Sequence, residues 1–132
     1  MDRIDSEKLE LFLEHSENSP YRKKLEEFDV EVEGGNPGCG DIVKIYMKVN
    51  QDDTVELSFE GVGCTISQAS TSILIESLQG KKIQELENVD VNFLIDLIGK
   101  EVYLLRPNCA SLGLNVLKAV IKKYLRLKEI KT

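Results

Sequence analysis

Three cysteines and one aspartate carry most of the chemical potential of this sequence. They stand in Asn36-Pro37-Gly38-Cys39-Gly40-Asp41, in Gly61-Val62-Gly63-Cys64-Thr65-Ile66-Ser67-Gln68, and in Arg106-Pro107-Asn108-Cys109-Ala110-Ser111. Each cysteine falls in a turn or at a predicted helix start, and none lies inside an apolar stripe. Thiolates that act as ligands or nucleophiles need access and a positive local potential, whereas thiols used only for packing need neither. Asp41 adds a hard oxygen donor at a predicted strand start, a turn position where its loss would cost little core packing.

The elements that must position these residues follow from periodicity. A helix is predicted over 5–16, with Leu9, Phe12 and Leu13 as its apolar face and Asn18-Ser19-Pro20 as its stop. Strict alternation predicts a half-buried strand over 28–33, followed by a glycine-rich loop over 34–40. A second strand over 42–49 sets Val43, Ile45, Met47 and Val49 against Lys44, Tyr46 and Lys48. After the turn at 50–53, a third strand carries Val55, Leu57 and Phe59 inward. Thr65 through Gln68 has the form of a capping box, with Thr65 as N-cap of a helix running to Gln79 and stopped at Gly80. Short helices are predicted over 83–88 and 91–98. The last helix begins at Asn108 and extends past Leu125, with Leu114, Leu117, Val120, Ile121, Tyr124 and Leu125 as its stripe. The fold class is α+β: a three-stranded antiparallel sheet against about four to five helices.

Short connections favour an antiparallel meander. In that topology Cys39, Asp41 and Cys64 meet at one edge of the sheet. Pro107 restrains Arg106, and Asn108 would cap the last helix, which puts Cys109 at its first helical position. If that helix lies on the sheet with its N-terminus at the same edge, the site closes as three thiols and one carboxylate. Such a set suits tetrahedral zinc or an iron–sulfur cluster, with the carboxylate as the weakest partner for iron.

Composition bounds the alternatives. The chain has 132 residues, 42% hydrophobic and 30% charged, with a net charge of −6. That describes one globular domain and argues against nucleic-acid binding, which needs Lys and Arg to neutralise phosphate. No window reaches the roughly 20 apolar residues that span a bilayer. The N-terminus resembles neither a signal nor a transit peptide, so the expectation is a soluble cytoplasmic protein without membrane contact. Three cysteines, an odd number, do not form a disulfide framework in that compartment. The glycines at 34–40 precede a strand and lack a following Lys-Ser/Thr, so they read as a turn and not a phosphate loop. His15, the single histidine, lies among polar residues and reads as a surface residue. Glu26, Glu27, Asp29, Glu31 and Glu33 read as a solvated face.

Taken together, Asn36-Pro37-x-Cys39-Gly40-Asp41, Gly61-x-Gly63-Cys64-x-Ile66-Ser67-x-Ala69-Ser70 and Cys109-Ala110 before a helix resemble the U-type iron–sulfur scaffold family (IscU, SufU and the NifU N-terminal domain). The likeness runs from about residue 5 to 127, and it implies a single domain over 1–132. It also implies ligand roles for Cys39, Asp41, Cys64 and Cys109, a 2Fe–2S cluster with iron as cofactor, and zinc as an occupant of the resting protein. The implied partners are a cysteine desulfurase that supplies sulfur, apo-proteins that receive the cluster, and an Hsp70-type chaperone, with the chain a monomer or weak homo-oligomer. Asn108 stands where Isc-type members carry histidine, and Val102-Tyr103-Leu104-Leu105-Arg106 stands where they carry Leu-Pro-Pro-Val-Lys. The leading expectation is an assembly scaffold on which Cys109, placed at a mobile helix start, first accepts sulfur, as in Isc-type members. SufU members favour the first cysteine, here Cys39. The alternative from the enzyme class is a zinc-dependent sulfurtransferase of SufU type, and a purely structural zinc module is the third reading.

Overall fold

The computed structural model describes residues 6–36 and 40–131. Its elements run α1 (Ser6–Glu17), β1 (Val30–Asn36), β2 (Asp41–Val49), β3 (Val55–Val62), α2 (Thr65–Leu78), α3 (Ile83–Leu86), α4 (Val91–Ile98), α5 (Lys100–Leu105) and α6 (Pro107–Lys131). The strands form an antiparallel meander in the order β1-β2-β3. The register pairs Asn36 with Asp41, and Ile42 with Val62. The start of β2 and the end of β3 therefore share one edge, as the short connections predict.

The apolar alternation of the strands builds one side of the core. Val43, Ile45 and Met47 of β2 and Val55, Leu57 and Phe59 of β3 are all buried. Helices α2 and α6 cover them with Ala69, Ile73, Leu74 and Leu78 and with Ala110, Leu114, Leu117, Val120 and Ile121. Leu94 and Ile98 of α4 complete the cluster. On the opposite face of the sheet, Tyr46 is also buried. Phe28 meets its ring edge-on at 5.0 Å, and its hydroxyl donates to Glu60. The outer edge of β3 is not left open. The Gln79 side-chain amide bonds both the N–H and the C=O of Leu57, at 2.6 and 2.7 Å, and Tyr21 O accepts from Phe59 N at 2.9 Å.

Several boundaries differ from the sequence expectation, each for a tertiary reason. β1 starts two residues later than predicted and continues through Gly34 and Gly35, which pair with Val43 and Ile42. Gly34 lies under α6, where an added Cβ would sit 2.7 Å from Val116 Cγ2, so this glycine marks a close approach and not a loop. The 83–88 helix is shorter than expected, and α5 occupies a stretch with no predicted helix. On α1, Leu13 is exposed and His15 is buried at 5% exposure, the reverse of the sequence reading. Helical spacing puts His15 on the same face as Phe12. There its Nδ1 lies 2.6 Å from Ser72 Oγ and its Nε2 lies 2.7 Å from Glu76, so a polar pair joins α1 to α2.

Helices α2 and α6 cross at Gly113. A Cβ there would lie 2.2 Å from Thr71 Oγ1 and 3.1 Å from Thr71 Cα, and Thr71 is itself held by a 2.7 Å bond to Ser67 O. Gly113→Ala should therefore lose about 1–3 kcal/mol through overpacking against the roughly 1 kcal/mol that alanine adds in helix propensity, a net loss of up to about 2 kcal/mol. Urea unfolding checks this: the midpoint should fall, with the slope unchanged.

Candidate metal centre

Asp41 opens β2, and its burial overturns the expectation of a cheap turn position. It is only 1% exposed. Its Oδ1 accepts the backbone N–H of Cys64 at 2.7 Å, and its Oδ2 lies 3.7 Å from the Cys64 thiol, which donates to it. Gly63 makes this approach possible. Its φ is +140°, and an added Cβ would fall 2.1 Å from Asp41 Oδ1. The carboxylate occupies the space that a side chain would take.

Cys64 is the N-cap of α2, with φ −74° and ψ 161°, and it makes no side-chain cap bond. The N-cap is Cys64 and not the predicted Thr65, and the Asp41 carboxylate, from another strand, accepts the Cys64 N–H, the donor that an N3 side chain takes in a capping box. The Cys64 side chain is left half-exposed at the sheet edge. Ser67 in the first turn of α2 donates to Cys64 O at 3.0 Å, and Gln68 Nε2 donates to Ser67 Oγ at 3.1 Å. The capping-box reading of this segment therefore fails, and Gly63, Ser67 and Gln68 are the site residues it hides. The close Gly-x-Gly spacing before Cys64 was the available signal.

Cys109 is the third residue of α6, not the first, because Pro107 itself begins the helix. It is 1% exposed, whereas a mobile helix start would leave it open. Its side chain hydrogen-bonds Asp41. Ligand atoms of Asp41, Cys64 and Cys109 all lie within 4.8 Å of one another. Cys39, the fourth residue singled out in the sequence, lies outside the described residues. Among the described residues, this trio is the group of His, Cys, Asp and Glu side chains able to hold a metal ion. His15 is engaged elsewhere.

The donor chemistry fits a metal. Tetrahedral zinc with sulfur at about 2.3 Å needs ligand atoms about 3.8 Å apart, a small contraction from the observed spacing. Burial works to raise the Asp41 carboxyl pKa. The hydrogen bonds from the Cys109 side chain, the Cys64 amide, the Cys64 thiol and Ser67 outweigh it and hold the group below the usual carboxylate range. Both α2 and α6 bring their first turns to the cluster, and positive helix ends favour an anionic ligand set. Exposed Ile42 and Val62, paired across the strands, flank Asp41 and Gly63, and exposed Leu104 and Leu105 close α5 just before Cys109. No helix of the described residues is long and apolar enough to cross a membrane.

Gly63→Ala should expel the Asp41 carboxylate and weaken metal uptake by at least about tenfold. Titration with cadmium, followed by thiolate-to-metal absorption, checks this. An unchanged midpoint would mean that Asp41 does not need this cradle.

Comparison with known proteins agrees with the fold. The chain is 32% identical to the iron–sulfur cluster assembly scaffold protein IscU of Thermotoga maritima, over 89% of this chain and 94% of that one. It is also 32% identical to the zinc-dependent sulfurtransferase SufU of Bacillus subtilis, over 74% of this chain and 66% of the relative. The crystal structure of FiSufU from the thermophile Fervidobacterium islandicum superposes with a TM-score of 0.69 at 31% identity, covering 85% of this chain and 94% of that one. Residues 8–131 match the family described as the NifU-like N terminal domain, and with that span and the shared meander-plus-helices fold, this chain belongs to that family.

Proposed function

We propose that this chain is an iron–sulfur cluster assembly scaffold. The observation that carries the reading is the convergence of Asp41, Cys64 and Cys109 within 4.8 Å, where the sheet edge meets the first turns of α2 and α6, with Cys64 partly open to solvent. The name of the Thermotoga relative supports it. Cys39, two positions before Asp41, supplies the fourth donor, so the cargo iron and a 2Fe–2S cluster sit on Cys39, Asp41, Cys64 and Cys109. Thiolates hold iron firmly, while the carboxylate oxygen is the harder and weaker ligand through which cargo is released.

Sulfur arrives from a cysteine desulfurase. A scaffold thiolate attacks the outer sulfur of the donor's persulfide, and the donor cysteine leaves as its own thiolate. No net redox change occurs at that step, and reduction of the carried sulfur to sulfide takes two electrons from a separate reductant. Cys109 is the acceptor by Isc-type analogy and Cys39 by SufU-type analogy. Because Cys109 is buried, its use requires the first turn of α6 to shift when the donor docks. The apolar side chains Ile42, Val62, Leu104 and Leu105 offer a protein partner a dry contact beside the site. The desulfurase and the apo-protein recipients would use it in turn, and an Hsp70-type chaperone would meet the α5 end of it. We place this work in the cytoplasm, with the chain acting as a single domain.

Anaerobic reconstitution with ferrous iron and sulfide tests the reading. Wild type should develop thiolate-to-iron absorption bands, and Cys64→Ser should lose most of them. Bands that are absent in wild type, or unchanged in Cys64→Ser, would sink it.

A second reading, a zinc-dependent sulfurtransferase, is favoured by one observation. The first turn of α6 offers Asn108 beside Cys109, where an imidazole would otherwise stand, and the B. subtilis relative with that activity shares 32% identity. Under this reading, zinc-loaded protein should raise desulfurase turnover several-fold without iron. Turnover that stays at the basal rate removes it.

A further inference from the structure

Two residues behind the metal centre have no part in holding iron or accepting sulfur. Ser67 is fully buried and donates to Cys64 O at 3.0 Å, and the N–H of that same Cys64 donates to Asp41 Oδ1 at 2.7 Å. A hydroxyl has one proton to give. Gln68, 6% exposed, donates from Nε2 to Ser67 Oγ at 3.1 Å. That bond occupies a lone pair on Oγ and directs the Ser67 proton away from the glutamine, toward the Cys64 carbonyl. The glutamine amide packs over the end of β3. At Gly61 a Cβ would fall 2.8 Å from Gln68 Oε1 and 3.2 Å from Nε2, so the amide fills the space of the missing side chain. Gln68 Oε1 has no hydrogen-bond partner among the described residues.

On the metal side, the two carboxylate oxygens of Asp41 differ. Oδ1 is committed to the Cys64 N–H at 2.7 Å, whereas Oδ2 lies nearest the Cys64 thiol at 3.7 Å. We propose that Gln68, acting through Ser67 and the Cys64 backbone that Ser67 anchors, is a positioning residue that holds the carboxylate in this pose, so that Asp41 meets a metal ion through Oδ2 alone. Gly61 and Gln68 then form a matched pair whose purpose is the aspartate two strand-ends away. The inference rests on the reading that the site binds metal. It adds the element that sets how firmly the oxygen ligand stays on. Outer groups of this kind orient the atoms that touch the metal, and their loss typically weakens metal binding ten- to a hundredfold.

The test uses the full chain loaded with zinc, and separately with cobalt(II). Zinc release to a colorimetric chelator gives the rate, and cobalt d–d absorption reports the coordination geometry. Gln68→Met keeps the side-chain length and removes the donor. It should release zinc about tenfold faster and shift the cobalt bands. Ser67→Ala should do the same, and the double variant should be no faster than either single one, because each removes the same arm. Ser67→Ala is the smaller change and carries the prediction alone if Gln68→Met does not fold. A merely structural glutamine would lower the melting temperature of the metal-free protein, leave the cobalt bands in place, and multiply with Ser67→Ala. Release from Gln68→Met within about twofold of wild type, or multiplied single effects, overturns the inference. Wild type that takes up neither zinc nor cobalt overturns the metal-site reading and this inference together. Wild type that binds both, with variants that match it, overturns the inference alone.

Discussion

The hydrogen bond from the Cys64 amide to Asp41 Oδ1 is the constraint on which the site depends. It joins the first residue of β2 to the N-cap of α2 across the end of β3, at 2.7 Å. One contact settles three problems. It gives α2 an acceptor for a free N–H at its start, it supplies a buried carboxylate with a donor, and it places the Cys64 thiol beside that carboxylate. The bond exists only because position 63 has no side chain, and because its φ of +140° is a conformation that glycine adopts without strain.

Cys109 arrives by a longer route. It belongs to a helix that extends from Pro107 to Lys131, and its position is set by how that helix lies on the sheet and on α2. Ala110, Leu114, Leu117, Val120 and Ile121 bury one face of it. Two glycines let the backbones come close: Gly34 under Val116, and Gly113 against Thr71. Burying several large aliphatic side chains, each worth about 1.5–3 kcal/mol, fixes the helix far more firmly than a single thiol contact could. The apolar core therefore sets the position of the third donor.

The environment around these donors is mixed in a way that suits exchange with proteins. The carboxylate and one thiol are buried, and the other thiol is half-open. Exposed aliphatic side chains, Ile42, Val62, Leu104 and Leu105, stand close to them in the chain. A metal held in a polar, fully open site exchanges with water. The same metal under an apolar rim exchanges when another protein covers the rim and excludes water.

Local patterning in the chain determined the three strands, their meander and the meeting of Asp41 with Cys64, because strand alternation and short connections are short-range properties. The family motif was also legible, since it consists of residue types at fixed spacing. What only the tertiary structure decided were the features that depend on contacts between distant segments. Gly34 and Gly35 belong to β1 because they pair with Val43 and Ile42 of β2, and Gly34 leaves room for Val116 of α6, while glycine on its own reads as a turn. Cys64, not Thr65, caps α2, and a carboxylate 23 positions earlier in the chain reaches its amide. His15 is buried because Ser72 and Glu76 give its ring two partners, which no pattern in α1 announces. Cys109 is enclosed because α6 begins at Pro107 and its first turn seats against Asp41. In each case local propensity allowed more than one arrangement, and burial with satisfied hydrogen bonds chose among them.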